Sequence, residues 1–474
     1  MKEKNTLIIK TLELITLIIL YYIVGSKSIF LYTLSFCLYN IFISSLNHIS
    51  ITNTLNTLGS IKEKYKIFTY TSLMLIIFSL LFLLLGIAIS DITSIVLNID
   101  NILPIFIMMG LTIFTKPFIK ILSEYLDNIN NTNKYQKINY IYHILDDILL
   151  IIIAIIVFRI VKIKINTAIA LLYLSKIIST ILITTLMYLI NKDKKTNSNS
   201  VKENINLKKE IKKILTKDNY KSIINIAKNS YYYISIIIIY LVLKTRYNYE
   251  IDIIENNITF IYLYSLAIIN YLVHLAKLLN SELPKEMTLT SRMYNNFKIM
   301  LSIAIVFGII SPLTCKVIFN NPSYAIYLAM TNIMAIFILL YDITYENIKN
   351  KKIIYTSLIL GIVTKVVLII PLINSFYRMG YNLIYGDIIS TIIGMFLSII
   401  INYIYIRNTE KANENYFEKI LNILYENILL CIILIAIQFI VPMNTDSYFK
   451  AIGLIFIYII VSITFIKLKN KKRG

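Results

Sequence analysis

The amino-acid sequence predicts an all-α, polytopic membrane protein with about 14 transmembrane helices. Hydrophobic residues make up 57% of the 474 residues and charged residues only 15%, more apolar surface than a soluble core of this size requires. Apolar runs long enough to cross roughly 30 Å of hydrocarbon recur along the whole chain. Short polar segments separate these runs, as expected for spans joined by loops.

The predicted spans fall into two sets on either side of one long polar stretch. The first set has six apolar runs, at residues 7–24, 30–46, 67–90, 103–122, 140–161 and 166–190. The second set has eight, at residues 222–243, 258–279, 297–318, 323–341, 354–373, 383–405, 420–441 and 449–466. An even number of spans places both chain ends on the same side of the membrane.

The polar stretch at residues 191–220 begins as a linker and becomes a basic amphipathic segment. Leu207, Ile211, Ile214 and Leu215 would share one face of a helix there, opposite several lysines. Such a helix is typical of a segment that lies on an anionic membrane surface. The sequence therefore predicts anionic lipids of the cytoplasmic face as a partner of this segment.

The net charge of +21 reflects membrane topology rather than nucleic-acid binding. When alternate loops are assigned to opposite sides, most lysines and arginines fall on one side, including those in residues 62–66, 208–213 and 467–473. This bias marks the cytoplasmic side. It predicts a plasma-membrane protein with both termini in the cytoplasm. One basic loop, at residues 159–164, falls on the opposite side.

Neither a metal site nor a cofactor motif is apparent in the sequence. Cys37, Cys315 and Cys431 lie far apart in apolar segments, and the histidines are equally isolated. The sequence contains no glycine-rich phosphate loop and no catalytic constellation. We therefore expect a protein that is not an enzyme and that needs no bound cofactor.

Two segments of the chain resemble each other. LYLSKIISTILITTLMYLIN, from Leu172, and LIYGDIISTIIGMFLSIIIN, from Leu383, match without a gap at nearly half of their positions. The segments just upstream, YLDNINNTNKYQKINYIYHILDDILLIII and YDITYENIKNKKIIYTSLILGIVTKVVLII, are also alike. An internal repeat of this kind is typical of transporters built from two related helical bundles.

The arrangement resembles the multidrug/oligosaccharidyl-lipid/polysaccharide exporter superfamily, and most closely its branch with stage V sporulation protein B and the lipid II flippases. The resemblance rests on GSKSIFLYTLSFCLYNIFISSLNHISITNTLNTL, SEYLDNINNTNKYQKINYIYHILDDILLI, AKLLNSELPKEMTLTSRMYNNFKIMLSI and MGYNLIYGDIIST. Related lipid II flippases carry arginines near the first helix, where this chain has Tyr21, Tyr22 and Lys27. Lys244 and Arg246 match a basic pair of the family.

The repeat and the resemblance together predict the domain organisation. Residues 1–190 would form a first bundle of six spans, and residues 221–407 a second bundle related to it by a pseudo-two-fold axis. Residues 191–220 would link them. Residues 408–474 would add helices 13 and 14 and a basic tail.

The resemblance implies a transporter that flips a lipid-linked oligosaccharide or a peptidoglycan precursor, similar to lipid II, to the outer leaflet by alternating access. Its partner would be that lipid-linked glycan, and its C-terminal helices would line a groove for the lipid tail. Na⁺, H⁺ or the membrane potential would supply the driving force. The oligomeric state is left open by the sequence.

Charged residues within spans are costly and are therefore candidates for the functional site. A diphosphate head group needs cations, for which the candidates are Lys10, Lys176, Lys228, Lys277 and Lys365, together with Lys244 and Arg246. The acids that would serve gating or ion coupling are Glu13, Asp146, Asp147, Asp387 and Glu426. Each residue also has a structural alternative, such as an ion pair between Lys10 and Glu13 or a lysine that reaches toward the interface.

The repeat suggests how four of these charges are paired. Lys176 falls opposite Asp387 in the alignment, and Asp147 falls opposite Lys365. Equivalent positions with opposite charges predict ion pairs across the two bundles that would mark a gate.

Three other functions compete with the flippase hypothesis. A cation-coupled drug exporter of the same superfamily would typically have about 12 spans, fewer than this chain. A membrane glycosyltransferase or polymerase would carry a large outer loop with paired acids or arginines, and the outer loops here are short. The missing family arginines leave a degenerate homologue without transport activity as the third alternative.

Overall fold

The structure is a computed structural model that describes residues 2–46, 49–58, 60–130, 132, 134–191, 214, 219–280, 289–348, 350–410, 416–440 and 447–471. Within these residues the secondary structure is helical, without strands. The first half contains α1 (Lys2–Val24), α2 (Ser26–Leu46), α3 (Thr52–Asn56), α4 (Ile61–Leu97), α5 (Leu103–Thr112), α6 (Thr115–Asn130), α7 (Lys134–Ala154), α8 (Ile165–Leu172) and α9 (Leu174–Asn191).

The remaining helices are α10 (Asn219–Thr245), α11 (Ile251–Thr259), α12 (Leu266–Asn280), α13 (Leu289–Phe319), α14 (Ala325–Asn347), α15 (Lys351–Arg378), α16 (Ile384–Glu410), α17 (Tyr416–Ile440) and α18 (Tyr448–Lys471). Two π-helical segments, Ile155–Val161 after α7 and Phe260–Ser265 between α11 and α12, continue their helices with a wider turn.

The helices confirm the predicted multi-pass membrane protein. Within the described part of the chain, 11 helical stretches are long and apolar enough to cross a membrane. The continuous helix at residues 134–161 and the shorter apolar stretches at 421–437 and 449–462 occupy the other predicted spans. The prediction of about 14 spans therefore agrees with the structure.

The third span is longer than predicted because the helix continues beyond the apolar run at both ends, as far as its polar caps. α4 has 37 residues, about 55 Å at the usual helical rise. At its start the Ser60 hydroxyl accepts the N–H of Glu63 at 3.3 Å, and Glu63 lies in the first turn, where a negative charge is favourable. Asn98 ends the helix in the left-handed conformation. The apolar run at residues 67–90 is only its central part.

The packing divides the chain into two compact units. We call Ile15–Thr259 the first unit, and Met1–Leu14 together with Phe260–Gly474 the second unit. α10 belongs to the first unit, where the Ser222 hydroxyl donates to the carbonyl of Ser44 at 3.0 Å and the Asn229 amide donates to the Ser44 hydroxyl at 2.9 Å. The predicted bundles, with their boundary at residues 191–220, remain a prediction about symmetry rather than about this packing.

The predicted amphipathic segment lies almost entirely outside the described residues. Ile214 is the exception, and it is buried. The lysines and the other apolar residues of this segment are not part of the described structure.

In the second unit, the last two helices pack against α13. Ile310 of α13, Leu434 of α17 and Tyr458 of α18 share one buried apolar cluster. A polar contact also joins α13 to α17, since the Ser302 hydroxyl donates to the side-chain oxygen of Asn427 at 2.8 Å. The two C-terminal helices are therefore part of the packed second unit.

Candidate functional site

A lysine–aspartate pair joins α7 to α9 in the first unit. The Lys176 ammonium lies 2.8 Å from Oδ2 of Asp146. The other oxygen of the carboxylate accepts the hydroxyl of Ser175 at 2.7 Å. Asp146 therefore has two donors on α9, one charged and one neutral.

Tyrosines surround this pair. The ring of Tyr39 lies 5.3 Å from the Lys176 ammonium, within cation–π range. The Tyr142 hydroxyl donates to Thr115 at 3.4 Å, and the Tyr173 hydroxyl lies 2.8 Å from that of Ser35. We call Asp146, Lys176 and these tyrosines the first charged cluster.

The first charged cluster is partly accessible. The side chains of Lys176 and Asp146 are 14% and 13% exposed. An accessible ion pair is unfavourable against hydrocarbon, so its open side must face water.

A second lysine–aspartate pair joins α15 to α16 in the second unit. The Lys365 ammonium lies 3.4 Å from Oδ1 of Asp387 and donates to the Thr391 hydroxyl at 2.6 Å. The other oxygen of Asp387 accepts the hydroxyl of Tyr262, from the π-helical segment Phe260–Ser265. The Lys365 and Asp387 side chains are only 1% and 0% exposed. We call these four residues the second charged cluster.

One residue of each pair occupies an equivalent position of the internal repeat, and these two residues carry opposite charges. Lys176 begins the segment KIIST and Asp387 begins the segment DIIST. In both segments the threonine hydroxyl donates to the carbonyl four residues earlier, from Thr180 to Lys176 at 2.7 Å and from Thr391 to Asp387 at 2.9 Å. The backbone around the two charges is therefore alike.

The predicted ion pairs across the bundles are wrong. Lys176 pairs with Asp146 and Lys365 pairs with Asp387, each within one unit. The aspartate that forms an ion pair on α7 is Asp146, one residue before the Asp147 that the repeat alignment singled out. Neighbouring helical residues point about 100° apart, so Asp146 faces α9 while Asp147 points to another side of α7 and is half-buried.

Three of the other predicted cations bind acidic side chains or a helix end. Lys10 forms an ion pair with Glu13 one turn away, and Lys277, in the last turn of α12, pairs with Asp342 at 3.0 Å. Lys244 donates to the carbonyl of Leu97 at 3.0 Å. Leu97 is the last residue of α4, and the partial negative charge at the end of a helix favours a cation there.

Three candidates remain: Arg246, Lys228 and Glu426. Arg246 lies 5.9 Å from the ring of Tyr247, and Lys228 is half-buried on α10. The side chain of Glu426 lies outside the described residues, although its backbone belongs to α17.

The structure brings together several polar residues that the sequence did not single out. Tyr39, Tyr262 and Thr391 contact the charged pairs, but nothing distinguishes them from the many other tyrosines and threonines. Glu124 is also buried, and its carboxylate accepts the N–H of Ile51 at 2.7 Å at the start of α3. Glu124 could have been singled out in the sequence because it is an acidic residue just after a predicted span.

Comparison with known proteins identifies the fold. The sequence matches no family model and no curated protein. Among solved structures, the lipid II flippase MurJ in an inward closed conformation has a TM-score of 0.67 at 14% identity, covering 99% of this chain and 98% of that one. An inward-facing multidrug resistance MATE family transporter has a TM-score of 0.59 at 12% identity, covering 85% of this chain and 96% of that one.

A third similar structure is a MOP superfamily transporter from Pyrococcus furiosus, with a TM-score of 0.53 at 11% identity, covering 86% of this chain and 94% of that one. These likenesses establish the architecture of the chain. The predicted resemblance to the multidrug/oligosaccharidyl-lipid/polysaccharide exporter superfamily is therefore confirmed for the fold.

Proposed function

We propose that this protein is a membrane transporter that flips a lipid-linked oligosaccharide or peptidoglycan precursor from the cytoplasmic to the outer leaflet by alternating access. The observation that carries the proposal is the end-to-end similarity to the lipid II flippase structure, which covers 99% of this chain and 98% of that chain. Proteins of the same overall fold need not share a substrate, so the choice of substrate depends on features beyond the fold.

The C-terminal helices favour a lipid carrier over a drug exporter. The MATE transporter structure covers 85% of this chain although 96% of its own length is matched. The remainder is comparable in length to residues 408–474, the last two helices and their flanks. α17 and α18 pack against α13 through a buried cluster, so they are integral to the second unit. Extra helices of this kind would provide an apolar surface for a long lipid tail.

The charge distribution supports the direction of transport. Basic residues concentrated on one side orient both termini toward the cytoplasm, where lipid-linked precursors are assembled. Within the predicted spans, Lys176 supplies a partly exposed cation, as a phosphate-bearing head group requires. Coupling to Na⁺, H⁺ or the membrane potential belongs to the same proposal.

Complementation tests the proposal directly. The protein is expressed in bacteria depleted of their own lipid II flippase, and growth and the lipid II accessible at the outer surface are measured. We expect both to return. The host flippase and an empty vector serve as positive and negative controls.

The same cells distinguish the second candidate. If the protein is present in the membrane, fails to restore surface lipid II and raises resistance to cationic drugs, the cation-coupled drug exporter replaces the flippase. If neither activity appears, a carrier for another glycolipid or a protein without transport activity becomes the better description.

A further inference from the structure

We propose that Lys176 binds a phosphate group of the transported ligand, and that Asp146 is an internal anion which this phosphate replaces. The inference rests on the proposed function for the nature of the ligand. The site itself follows from the geometry of the first charged cluster.

Accessibility separates Lys176 from the other deep cation. The side chain of Lys176 is 14% exposed, whereas that of Lys365 is 1% exposed. The Lys176 ammonium is therefore the more accessible of the two to a head group carried through water. The second ammonium is sealed between Asp387 and Thr391.

Asp146 is suited to release its lysine. One of its oxygens accepts the Ser175 hydroxyl at 2.7 Å, and this bond does not involve Lys176. When the ammonium turns toward a phosphate, the carboxylate keeps the Ser175 donor and its access to water. The exchange therefore leaves no buried charge without a hydrogen bond, which would otherwise be costly.

The tyrosines hold the ammonium without neutralising it. The face of Tyr39 attracts a cation electrostatically but carries no net charge. Lys176 therefore stays positioned when it leaves Asp146, and its charge remains available to an anion. An aspartate that competes for this charge lowers the affinity for the anion and favours release of the ligand after transport.

If phosphate replaces Asp146 as the partner of Lys176, substitutions of these two residues should change the affinity for phosphate in opposite directions. Lys176→Met should weaken the binding of inorganic pyrophosphate to the purified full-length protein in detergent by about tenfold or more, since a charge-assisted bond is lost. Asp146→Asn should strengthen binding, because it removes the competing anion and keeps a side chain of the same shape. Isothermal titration calorimetry measures both.

Two further variants control the experiment. Lys176→Arg keeps the charge and should retain most of the affinity, so it serves if Asp146→Asn does not fold. Lys316→Met removes a half-buried lysine of α13, remote in sequence from both clusters, and should leave the affinity unchanged. Equal loss in Lys176→Met and Lys316→Met would overturn the assignment, as would weaker binding in a folded Asp146→Asn protein.

The source of the phosphate is tested by repeating the titration with phosphatidylglycerol in the micelles. If pyrophosphate binding persists, the site accepts a diphosphate. If phosphatidylglycerol abolishes it, the site holds a phospholipid head group and the assignment to the transported ligand is wrong. Failure of the proposed function looks different, because pyrophosphate would bind with the expected variant pattern while complementation fails.

Discussion

The two charged clusters contain the same kinds of charge in the same repeat but differ in their access to water. In the first unit, Lys176 and Asp146 are partly open and lie among tyrosines. In the second unit, Lys365 and Asp387 are sealed and bound by Thr391 and Tyr262. An open pair can exchange partners with a ligand, whereas a sealed pair serves to join the helices that carry it.

One position of the repeat accounts for much of this difference. Ser175 immediately precedes Lys176, and the equivalent residue before Asp387 is Gly386. A Cβ atom at Gly386 would lie 2.6 Å from the backbone nitrogen of Ile373, so α16 and α15 approach each other as only a glycine permits. In the first unit the serine side chain fills this position and donates to Asp146. We infer that the close approach of the two helices contributes to the burial of the second cluster.

Breaking the sealed pair should have the largest effect. Lys365→Met leaves Asp387 buried without its cation, and we expect a loss of about 3–5 kcal/mol in stability. Lys176→Met should cost less, about 1.5–3 kcal/mol, because Ser175 still donates to Asp146 and the carboxylate is partly exposed to water. The temperature at which each variant aggregates in detergent provides the comparison.

A double variant tests the cause of that loss. Lys365→Met combined with Asp387→Asn removes both charges and should recover most of the stability. If the double variant is no more stable than Lys365→Met alone, the unpaired carboxylate is not the reason for the loss. The ion pair of the second cluster would then not be what holds α15 and α16 together.

The close approach at Gly386 gives the next largest effect. Gly386→Ala places a methyl group against the backbone of Ile373 and should destabilise the protein by about 2 kcal/mol. Gly308→Ala is the matched control, since a Cβ there meets no atom within 4 Å. A helical alanine should be neutral or slightly stabilising at that position. Similar melting temperatures for the two variants would contradict the tight contact.

The sequence predicted the fold and the important charges but not how the charges are paired. Long apolar runs and alternating loop charge depend on the membrane alone, so the spans could be located along the sequence, although not their exact ends. Lys176, Lys365 and Asp387 were identified as candidates because charges within spans are rare. Their partners depend on which helices are neighbours, and a repetitive, isoleucine-rich alignment favoured Asp147 over Asp146 by one residue.

The accessibility of the two clusters was beyond sequence reasoning for a related physical reason. A glycine or a serine before a charge carries little information by itself. Its effect appears only when the neighbouring backbone is in place, as at Ile373. The same holds for Tyr262, which reaches Asp387 from a π-helical segment that the hydrophobic pattern does not reveal.

The threonines of the repeat provide the finest test of the comparison. Thr391 accepts a hydrogen bond from the buried Lys365 ammonium at 2.6 Å, so Thr391→Val should cost about 1.5 kcal/mol. Thr180, its equivalent, bonds neutral groups, including the carbonyl of Lys176, and Thr180→Val should cost about half as much. Both substitutions remove one hydroxyl and keep the side-chain volume. The difference between the two melting temperatures therefore measures how much more a hydroxyl contributes when it bonds a charged ammonium. Equal losses would mean that Thr391 acts only through the helix backbone, as Thr180 does, and that the ammonium of Lys365 does not depend on its hydroxyl.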